Sequence, residues 1–216
     1  MTGPHPQHPM PTDPPRENRE FDLVLVGATG FVGGHVLRMA GHEALPVRAL
    51  ARRPQQPRPH VDWQPGALDD AASLRALAEG ARAVIHVAGV VNAPNPAGFE
   101  AGNVAGTAAV LRAARDAGVT RFIHVSSLAA REPALSAYGA SKAASEQLVR
   151  DSGLDWTIVR PPAVYGPGDR EMLALFRAAK WGVQLMPPPG RFSLIHAEDL
   201  ARLLIELATE PVARAM

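Results

Sequence analysis

The chain has 216 residues, a formal net charge of +1 and no cysteine. This length suits one domain with a full-sized core, and the lack of cysteine excludes disulfide bonds and thiolate metal sites. A nearly neutral chain lacks the basic footprint of a nucleic-acid-binding protein, and no apolar run approaches the length of a membrane span. The expected partner is therefore a small molecule, with no nucleic acid or membrane, and the expected location is the cytoplasm.

Residues 1–20 differ from the rest of the chain. They contain six prolines and almost no large apolar residue, so they cannot bury enough surface to fold. We predict a disordered, proline-rich tail over 1–20, followed by a single domain over 21–216. His5 and His8 lie in this tail and are interpreted as solvated side chains rather than metal ligands.

From residue 21 onward, short apolar runs alternate with helical patterns. Strands are predicted over 21–26, 46–51, 61–64, 83–88, 122–126 and 156–160. Helices are predicted over 31–40, 71–78, 97–117, 138–151, 169–181 and 196–209. Asp69 or Asp70 is expected to cap the second helix, and Asp199 the last. Apolar strands that alternate with helices are typical of a parallel sheet covered on both faces.

The first predicted strand ends in a glycine-rich loop that opens the first helix. Gly27 permits the tight turn out of the strand, Gly30 lets the backbone approach a phosphate, and Gly33 lets the helix pack on the strand. The helix N-terminus adds N–H groups and a positive dipole end. The motif predicts a dinucleotide pyrophosphate site on a doubly wound parallel sheet, a Rossmann fold, with its ligand at the carboxyl ends of the strands.

Arg52 and Arg53 follow the second predicted strand, where a dinucleotide site meets the adenosine ribose. Sites that prefer NAD place Asp or Glu at this point, and its carboxylate binds the ribose 2′-hydroxyl. A guanidinium instead binds a 2′-phosphate in a fork. The pair predicts a preference for NADP over NAD. The plain alternative is two solvated arginines at a strand end.

Tyr138 and Lys142 share one helix face because they are four residues apart. A nearby ammonium stabilises a phenolate, so Lys142 would let Tyr138 exchange a proton with a substrate oxygen near neutral pH. Hydride would move to or from a nicotinamide. Ser126 and Ser127 end the preceding strand at the ligand side of the sheet, where a hydroxyl can hold the reacting oxygen.

With these residues the chain resembles the short-chain dehydrogenase/reductase superfamily, most closely the extended or atypical branch that includes the NAD(P)-dependent epimerase/dehydratase group. The resemblance covers about residues 21–209. Five further segments carry it: 84–89 (VIHVAG), 103–107 (NVAGT), 121–127 (RFIHVSS), 160–168 (RPPAVYGPG) and 193–201 (SLIHAEDLA). The first of these resembles the segment beside the cofactor, and the fourth resembles the segment that flanks the nicotinamide.

The resemblance implies roles for the matching positions. Tyr138 would be the acid/base, Lys142 would bind the nicotinamide ribose and tune Tyr138, and Ser127 would hold the substrate oxygen, with Ser126 as the alternative register. Together with the arginines, the predicted cofactor-binding positions are Gly27, Thr29, Gly30, Phe31, Val32, Gly33, Arg52, Arg53, Leu68, Ala88, Lys142 and Pro161.

No metal site is predicted. The histidines that lie in or beside apolar segments do not have metal-site spacing, so packed or hydrogen-bonded side chains are the favoured interpretation. These histidines are His86, His124 and His196.

Three features depart from the family pattern. Relatives often read G-D-L after the third strand, whereas this chain has Gly66-Ala67-Leu68 and so lacks an acidic contact near adenine. Leu128 stands at the third position of a Ser-Ser-Ser/Thr run. The chain ends at Met216, whereas extended relatives continue into a larger substrate lobe, so we expect either a reduced lobe with a small open pocket or an incomplete sequence.

The predicted function is hydride transfer between a nicotinamide and a carbonyl or alcohol substrate. One alternative is epimerase or dehydratase action on a nucleotide sugar, which shares the first hydride step but needs the larger lobe. The other is a non-catalytic redox sensor or assembly subunit that binds the dinucleotide without turnover, against which the intact Tyr138 and Lys142 pair argues. The oligomeric state is left open, with a homodimer allowed.

Overall fold

The computed structural model describes residues 23–169, 173, 177, 180–182 and 192–210. Its centre is a parallel sheet of six strands: β1 (Leu23–Val26), β2 (Val47–Ala51), β3 (Val61–Pro65), β4 (Ala83–His86), β5 (Arg121–Val125) and β6 (Asp155–Val159). The strand order is β3-β2-β1-β4-β5-β6. The order reverses between β1 and β4, and this switch point is where such sheets bind their ligands.

Helices cover both faces of the sheet. Helices α1 (Phe31–His42) and α6 (Ala197–Thr209) cover one face, and α2 (Ala71–Ala78), α4 (Gly106–Asp116) and α5 (Ala137–Arg150) cover the other. Successive strand residues point to opposite faces, so each strand contributes to two cores. One core contains Leu25, Ile85, Ile123, Leu200 and Leu204, and the other contains Val24, Val84, Phe122, Leu74 and Val110. The predicted doubly wound parallel sheet is confirmed.

The predicted helix over 97–117 is present as one helical run from residue 96 to residue 116, with a π-helical turn inside it. A short helix α3 (Pro96–Phe99) is followed by a π-helical turn (Glu100–Ala105) and then by α4. The wider turn buries Asn103, whose side chain hydrogen-bonds to the backbone of Val90. The apolar pattern of the sequence continues through the π-helical turn without a break. The contact between Asn103 and Val90 is a tertiary contact, so the pattern gives no sign of it. The predicted helix over 97–117 is therefore confirmed in its extent, and the π-helical turn inside it is the feature that the sequence pattern did not predict.

The cap of the last helix also differs from the prediction. His196 is the N-cap of α6, where its Nδ1 accepts a hydrogen bond of 3.4 Å from the amide of Glu198. Asp199 lies inside the first turn and pairs with Arg202 at 3.4 Å, in a position where the helix dipole favours a carboxylate. The cap of α2 is Asp70, one of the two predicted residues, which accepts from the amides of Ala72 and Ser73.

A second, two-stranded parallel sheet lies beyond the main one. It pairs β7 (Ala163–Tyr165) with β8 (Leu194–His196), and the sequence patterns did not predict it. The predicted tail over 1–20 and most of the predicted helix over 169–181 lie outside the described residues. Among the helices that are described, none combines the length and the apolar character needed to cross a bilayer.

Candidate active site

The glycine-rich loop lies between β1 and α1, at the switch point of the sheet. Gly27 has a φ of +99°, and a Cβ at this position would lie 2.6 Å from the amide nitrogen of Ala88. Gly33 packs so closely on the turn that a Cβ would collide with the carbonyl oxygen of Gly27. Both glycines are therefore required by the packing of the protein itself.

Gly30 is required for a different reason. It is the N-cap of α1 with a φ of −82°, which any residue can adopt, and a Cβ here would contact only the Gly27 carbonyl oxygen, at 3.2 Å. No described side chain caps this helix, and its first turn contains no acidic residue. Neither the cap nor the first turn of α1 thus supplies an anion to the first amides of the helix, and the positive end of the helix dipole lies beside them. These residues fit the pyrophosphate of a dinucleotide.

The predicted adenosine side lies at the same edge of the sheet. Arg52 and Arg53 are exposed and directly follow β2, the neighbour of β1. Leu68 follows β3 and is half-buried, with its Cδ1 close to the backbone of Gly106 at the start of α4. The arginines are therefore accessible to a phosphate, whereas Leu68 contributes an apolar wall.

The remaining predicted cofactor positions surround the loop. Ala88 follows β4 and donates its amide to the carbonyl oxygen of Val26 at 2.9 Å, which holds the β4 loop against the glycine turn. Thr29 is exposed, and Phe31 and Val32 are half-buried. Pro161 is buried after β6, where its carbonyl oxygen accepts a hydrogen bond of 3.0 Å from the amide of Leu128.

Tyr138 and Lys142 lie on α5, beside the carboxyl end of β5. The hydroxyl of Ser136 accepts from the amide of Gly139 and so starts the helix one residue before Tyr138, which is half-buried. Lys142 is only 4% exposed, and its Nζ donates to the carbonyl oxygen of Val125 at 2.8 Å. Burial lowers the pKa of Lys142 to about 8, and the charge of Glu146 opposes that shift.

The two candidate serines have different surroundings. Ser126 is buried, and its hydroxyl donates to Oε1 of Glu146 at 2.6 Å. Ser127 is half-buried, and its hydroxyl oxygen accepts from the amide of Ala129 at 3.2 Å at the start of a 3₁₀ turn. The Ser126 hydroxyl already donates its proton to Glu146, so the geometry favours Ser127 as the donor to a substrate oxygen.

Comparison with known proteins assigns the chain to a family. A family model described as NAD(P)H-binding matches residues 27–211. The chain belongs to this NAD(P)H-binding family. Over 199 residues it is 43% identical to a protein of Caulobacter vibrioides named ceramide reductase, a match that covers 88% of this chain and 62% of that relative.

Two further matches extend the comparison. A Stigmatella aurantiaca protein, named 4-hydroxy-2-methyl-3-oxo-4-farnesyl-3,4-dihydroquinoline-1-oxide ketoreductase, is 32% identical over 173 residues, covering 69% of this chain and 52% of that relative. The solved structure of MoeE5 in complex with UDP-glucose and NAD has a TM-score of 0.77 and 25% identity, covering 89% of this chain and 73% of that one. The chain thus spans roughly half to two thirds of these curated relatives, and the resemblance to the short-chain superfamily and its epimerase/dehydratase branch is confirmed.

Sequence reasoning gave no role to two residues of this NAD(P)H-binding chain. The amide group of Asn103 exchanges hydrogen bonds with the backbone of Val90 and donates to Ser141 at 2.9 Å, so it joins the β4 loop to α5. Glu146 lies one helical turn beyond Lys142 and accepts from Ser126. The four-residue spacing from Lys142 was the available signal for Glu146.

Two of the histidines that lie in apolar segments are buried and hydrogen-bonded. His86 contacts Thr107 at 3.0 Å, and His124 contacts Ser145 at 3.1 Å, with both rings fully buried. Within the described part of the chain, no group of three or more potential ligands could hold a metal ion.

Proposed function

We propose that this protein is an NAD(P)-dependent reductase that converts a ketone into a secondary alcohol, with Tyr138 as the proton donor. The position of Lys142 carries the proposal. Its ammonium is bound to Val125 at the carboxyl end of β5, one helical turn from Tyr138. The glycine-rich loop lies at the same edge of the same sheet, so a dinucleotide bound there would lead toward Tyr138.

Three polar side chains would each have a separate role in the reaction: Tyr138, Lys142 and Ser127. Lys142 would stabilise the phenolate that is left when Tyr138 gives its proton to the substrate oxygen. The pKa of Lys142, about 8, keeps the ammonium form predominant at neutral pH. Ser127 would donate a hydrogen bond to the same oxygen.

The redox balance of the reaction is simple. A bound NAD(P)H supplies a hydride. The carbonyl carbon gains this hydride while its oxygen takes the Tyr138 proton, so the ketone is reduced to an alcohol and Tyr138 is left as a phenolate that recovers a proton from solvent. The phenolate forms beside Lys142, whose positive charge favours it.

A ketone that carries a long apolar chain is the proposed substrate class. Two of the relatives are named for the reduction of ceramide and of a farnesyl-bearing quinoline compound. Exposed apolar side chains also follow the carboxyl ends of β4 and β5, next to the proposed site. They are Val91 (59% exposed), Leu128 (41%) and Leu135 (81%). Apolar surface at a site entrance favours a lipophilic ligand.

NADP is the proposed cofactor in preference to NAD. The exposed guanidinium groups of Arg52 and Arg53 at the end of β2 support this choice, because they can bind a 2′-phosphate in a fork. Neither residue is a carboxylate that would bind the 2′-hydroxyl of NAD.

The reductase names of two relatives support turnover over a sensor or assembly role. A cytoplasmic location and a homodimer stay predictions.

The change Tyr138→Phe tests the mechanism because it removes only the hydroxyl. The assay is oxidation of NADPH with aliphatic ketones of increasing chain length, with UDP-glucose and NAD as a separate arm. We expect turnover of the long-chain ketones by the wild type and a loss of about 10²–10⁴-fold in the variant, with unchanged cofactor affinity. Turnover of Tyr138→Phe near the wild-type rate would refute the mechanism.

The two lysines of the chain supply a matched control. Lys142→Met should lower turnover and weaken cofactor binding, whereas Lys180→Met, at an exposed position, should change neither. Tight NADPH binding without turnover of any ketone or sugar nucleotide would favour the sensor instead.

A further inference from the structure

Glu146 is a buried carboxylate at the centre of a charged network behind the proposed site. Its side chain is 1% exposed. Oε1 accepts from the Ser126 hydroxyl at 2.6 Å and from Nε of Arg160 at 2.7 Å. Oε2 accepts from Nη2 of Arg160 at 2.5 Å and from Nη2 of Arg150 at 2.7 Å. Four hydrogen bonds thus converge on one carboxylate from α5 and from the ends of two strands.

A carboxylate is buried in this way only where its partners replace the lost water. Burial alone would raise the pKa of Glu146, but the hydrogen bonds from Arg160, Ser126 and Arg150 outweigh it and lower the pKa to about 2. Glu146 therefore carries a full negative charge over the whole working pH range. The side chains of Arg150 and Arg160 are about one third exposed, so the positive charges lie at the rim and the negative charge lies inside.

The partners of Glu146 adjoin two predicted site residues. Ser126 precedes Ser127, and Arg160 precedes Pro161. The backbone joins these two segments as well, because Ser126 donates to the carbonyl oxygen of Val159 at 2.8 Å and Leu128 donates to that of Pro161 at 3.0 Å. One carboxylate on α5 thus holds the ends of β5 and β6 against the helix that carries Tyr138 and Lys142.

We propose that Glu146 is a positioning residue of the site, which holds the ends of β5 and β6 in place and keeps Lys142 in its charged form. The inference rests on the proposed function, since it assigns Lys142 its role beside Tyr138. No direct contact between Glu146 and substrate is required. Its effect passes through Ser126, Arg160 and Lys142.

The proposed effect of Glu146 on the charge of Lys142 depends on every titratable group that faces Lys142. Tyr138 and Glu146 face it from α5, His86 from β4 and His124 from β5. Burial and, less strongly, the charge of Lys142 lower the pKa of His86 to about 3, and burial followed by the charges of His86 and Lys142 lowers that of His124. Both imidazoles are neutral near pH 7. Burial favours loss of the Lys142 proton, and the negative charge of Glu146 opposes that loss.

The sign of the effect follows from the local charges. Glu146, Arg150 and Arg160 sum to +1 in the wild type. Glu146→Gln changes the sum to +2 and should lower the pH at which Lys142 loses its proton. Arg150→Gln changes the sum to 0 and should raise that pH. Asp151→Asn removes an exposed carboxylate at the end of α5 that contacts Gln147, and should leave the titration unchanged.

Lysine labelling makes the titration directly visible. The chain contains two lysines, Lys142 and Lys180, so protein grown with ¹³C-lysine should give two resolvable Cε titrations by NMR, with Lys180 as the internal reference. We expect Lys142 in Glu146→Gln to titrate about 1 pH unit lower than in the wild type. In Arg150→Gln it should titrate higher, by a smaller amount. In the double variant Glu146→Gln/Arg150→Gln it should return toward the wild-type value.

This readout needs no substrate, so it separates the inference from the proposed function. Absence of turnover in the wild type would remove the proposed function but leave the titration result standing. A Lys142 titration that is the same in Glu146→Gln, in Arg150→Gln and in the wild type would overturn the electrostatic role. If Glu146→Gln does not fold, the comparison of Glu146→Gln/Arg150→Gln with Arg150→Gln isolates the same charge, and Lys142 should titrate lower in the double variant; equal titration in the two would overturn the electrostatic role.

The positioning part is tested by kinetics at a pH where Lys142 is charged in all variants. We expect Glu146→Gln to lower kcat by about tenfold or more with a smaller change in the KM for NADPH, and Asp151→Asn to match the wild type. The alkaline fall of kcat/KM should follow the NMR titration of Lys142 in each variant. A wild-type kcat in Glu146→Gln would overturn the positioning role.

Discussion

Two buried histidines make the stability of this protein strongly dependent on pH. His86 on β4 and His124 on β5 are register partners, with ring centroids 5.5 Å apart and no exposed surface. Thr107 donates its hydroxyl proton to the backbone carbonyl oxygen of Asn103 at 2.7 Å, so the contact with His86 requires the imidazole Nε2 to be the donor. The Ser145 hydroxyl likewise donates to the backbone carbonyl oxygen of Lys142, so His124 donates through Nε2 as well.

The opposite ring nitrogens show what protonation would do. Nδ1 of His86 and Nδ1 of His124 have no hydrogen-bond partner within the described residues. A proton added there would create a buried charge with no acceptor, next to the ammonium of Lys142. Burial, followed by the charge of Lys142, accordingly lowers the pKa of His86 from 6.5 to about 3, and the pKa of His124 is lowered in the same direction.

The magnitude follows from linkage. Between pH 6.5 and about 3, His86 binds a proton in the unfolded chain but not in the folded one, so folding loses stability as the pH falls through this window. The contribution is complete above pH 6.5. The loss approaches about 1.4 kcal/mol per pH unit for each such histidine, or about 2.7 kcal/mol from His86 alone by pH 4.5. That is a large fraction of the roughly 5–15 kcal/mol that stabilise a typical domain.

The change His86→Leu removes the titrating group and keeps an apolar side chain in the core. Urea unfolding of the cofactor-free protein at several pH values between 4.5 and 7.5 measures the free energy of unfolding. Below pH 6, we expect the variant to lose about 1.4 kcal/mol per pH unit less than the wild type. His42→Gln, at an exposed helix end, should keep the wild-type slope. Parallel loss of stability in His86→Leu and the wild type would refute the reasoning.

Two further predictions concern the cofactor site. Gly30→Val should abolish dinucleotide binding and leave the protein folded, whereas Gly33→Ala should destabilise the fold because its Cβ would meet the Gly27 carbonyl. Gly34→Ala is the control, since a Cβ there meets no described atom within 4 Å. Isothermal titration calorimetry measures cofactor binding and thermal unfolding measures stability, so the two assays together separate the three outcomes. Replacing both Arg52 and Arg53 by Gln should remove an NADP preference of about tenfold or more, measured by calorimetry with NADP and NAD; equal affinity of the wild type for the two cofactors would contradict the assignment.

The sheet could be predicted because its signals are local. Each central strand is an apolar run, and burial on both faces of a parallel sheet produces that pattern wherever the strand finally lies. The predicted strand over 61–64 and the structural β3 differ by one residue, and α2 matches the predicted range. Gly33 acts on the turn only a few residues before it, so the close packing of α1 could be derived from the glycine spacing, whereas the close approach of Ala88 to Gly27 could not.

The failures occur where a distant contact decides the local structure. The amide of Asn103 binds the backbone of Val90, thirteen residues earlier, and this contact accompanies a π-helical turn that no helical pattern reveals. His196 rather than Asp199 caps α6, since the chain leaves β8 directly into the helix. The paired strands β7 and β8 lie about thirty residues apart in the sequence, at 163–165 and 194–196. The spacing of apolar residues within either segment does not indicate a partner at that distance.

The site shows both situations on one helix. Tyr138, Lys142, Glu146 and Arg150 follow one another at four-residue intervals on α5, so the sequence alone places a phenol, an ammonium, a carboxylate and a guanidinium on one face. It cannot say which of them is shielded from water, because that depends on β5 and β6 lying side by side beneath the helix. The fold buries the two inner charges and leaves the Arg150 side chain 37% exposed. Burial pushes Lys142 toward losing its proton and would also favour protonation of Glu146. Arg160 and Arg150 keep Glu146 ionised, and Glu146 in turn favours the charged form of Lys142. Arg150 lies at the opposite end of the same helix face, and its positive charge opposes that of Lys142, which is why removing it should raise the pH at which Lys142 loses its proton.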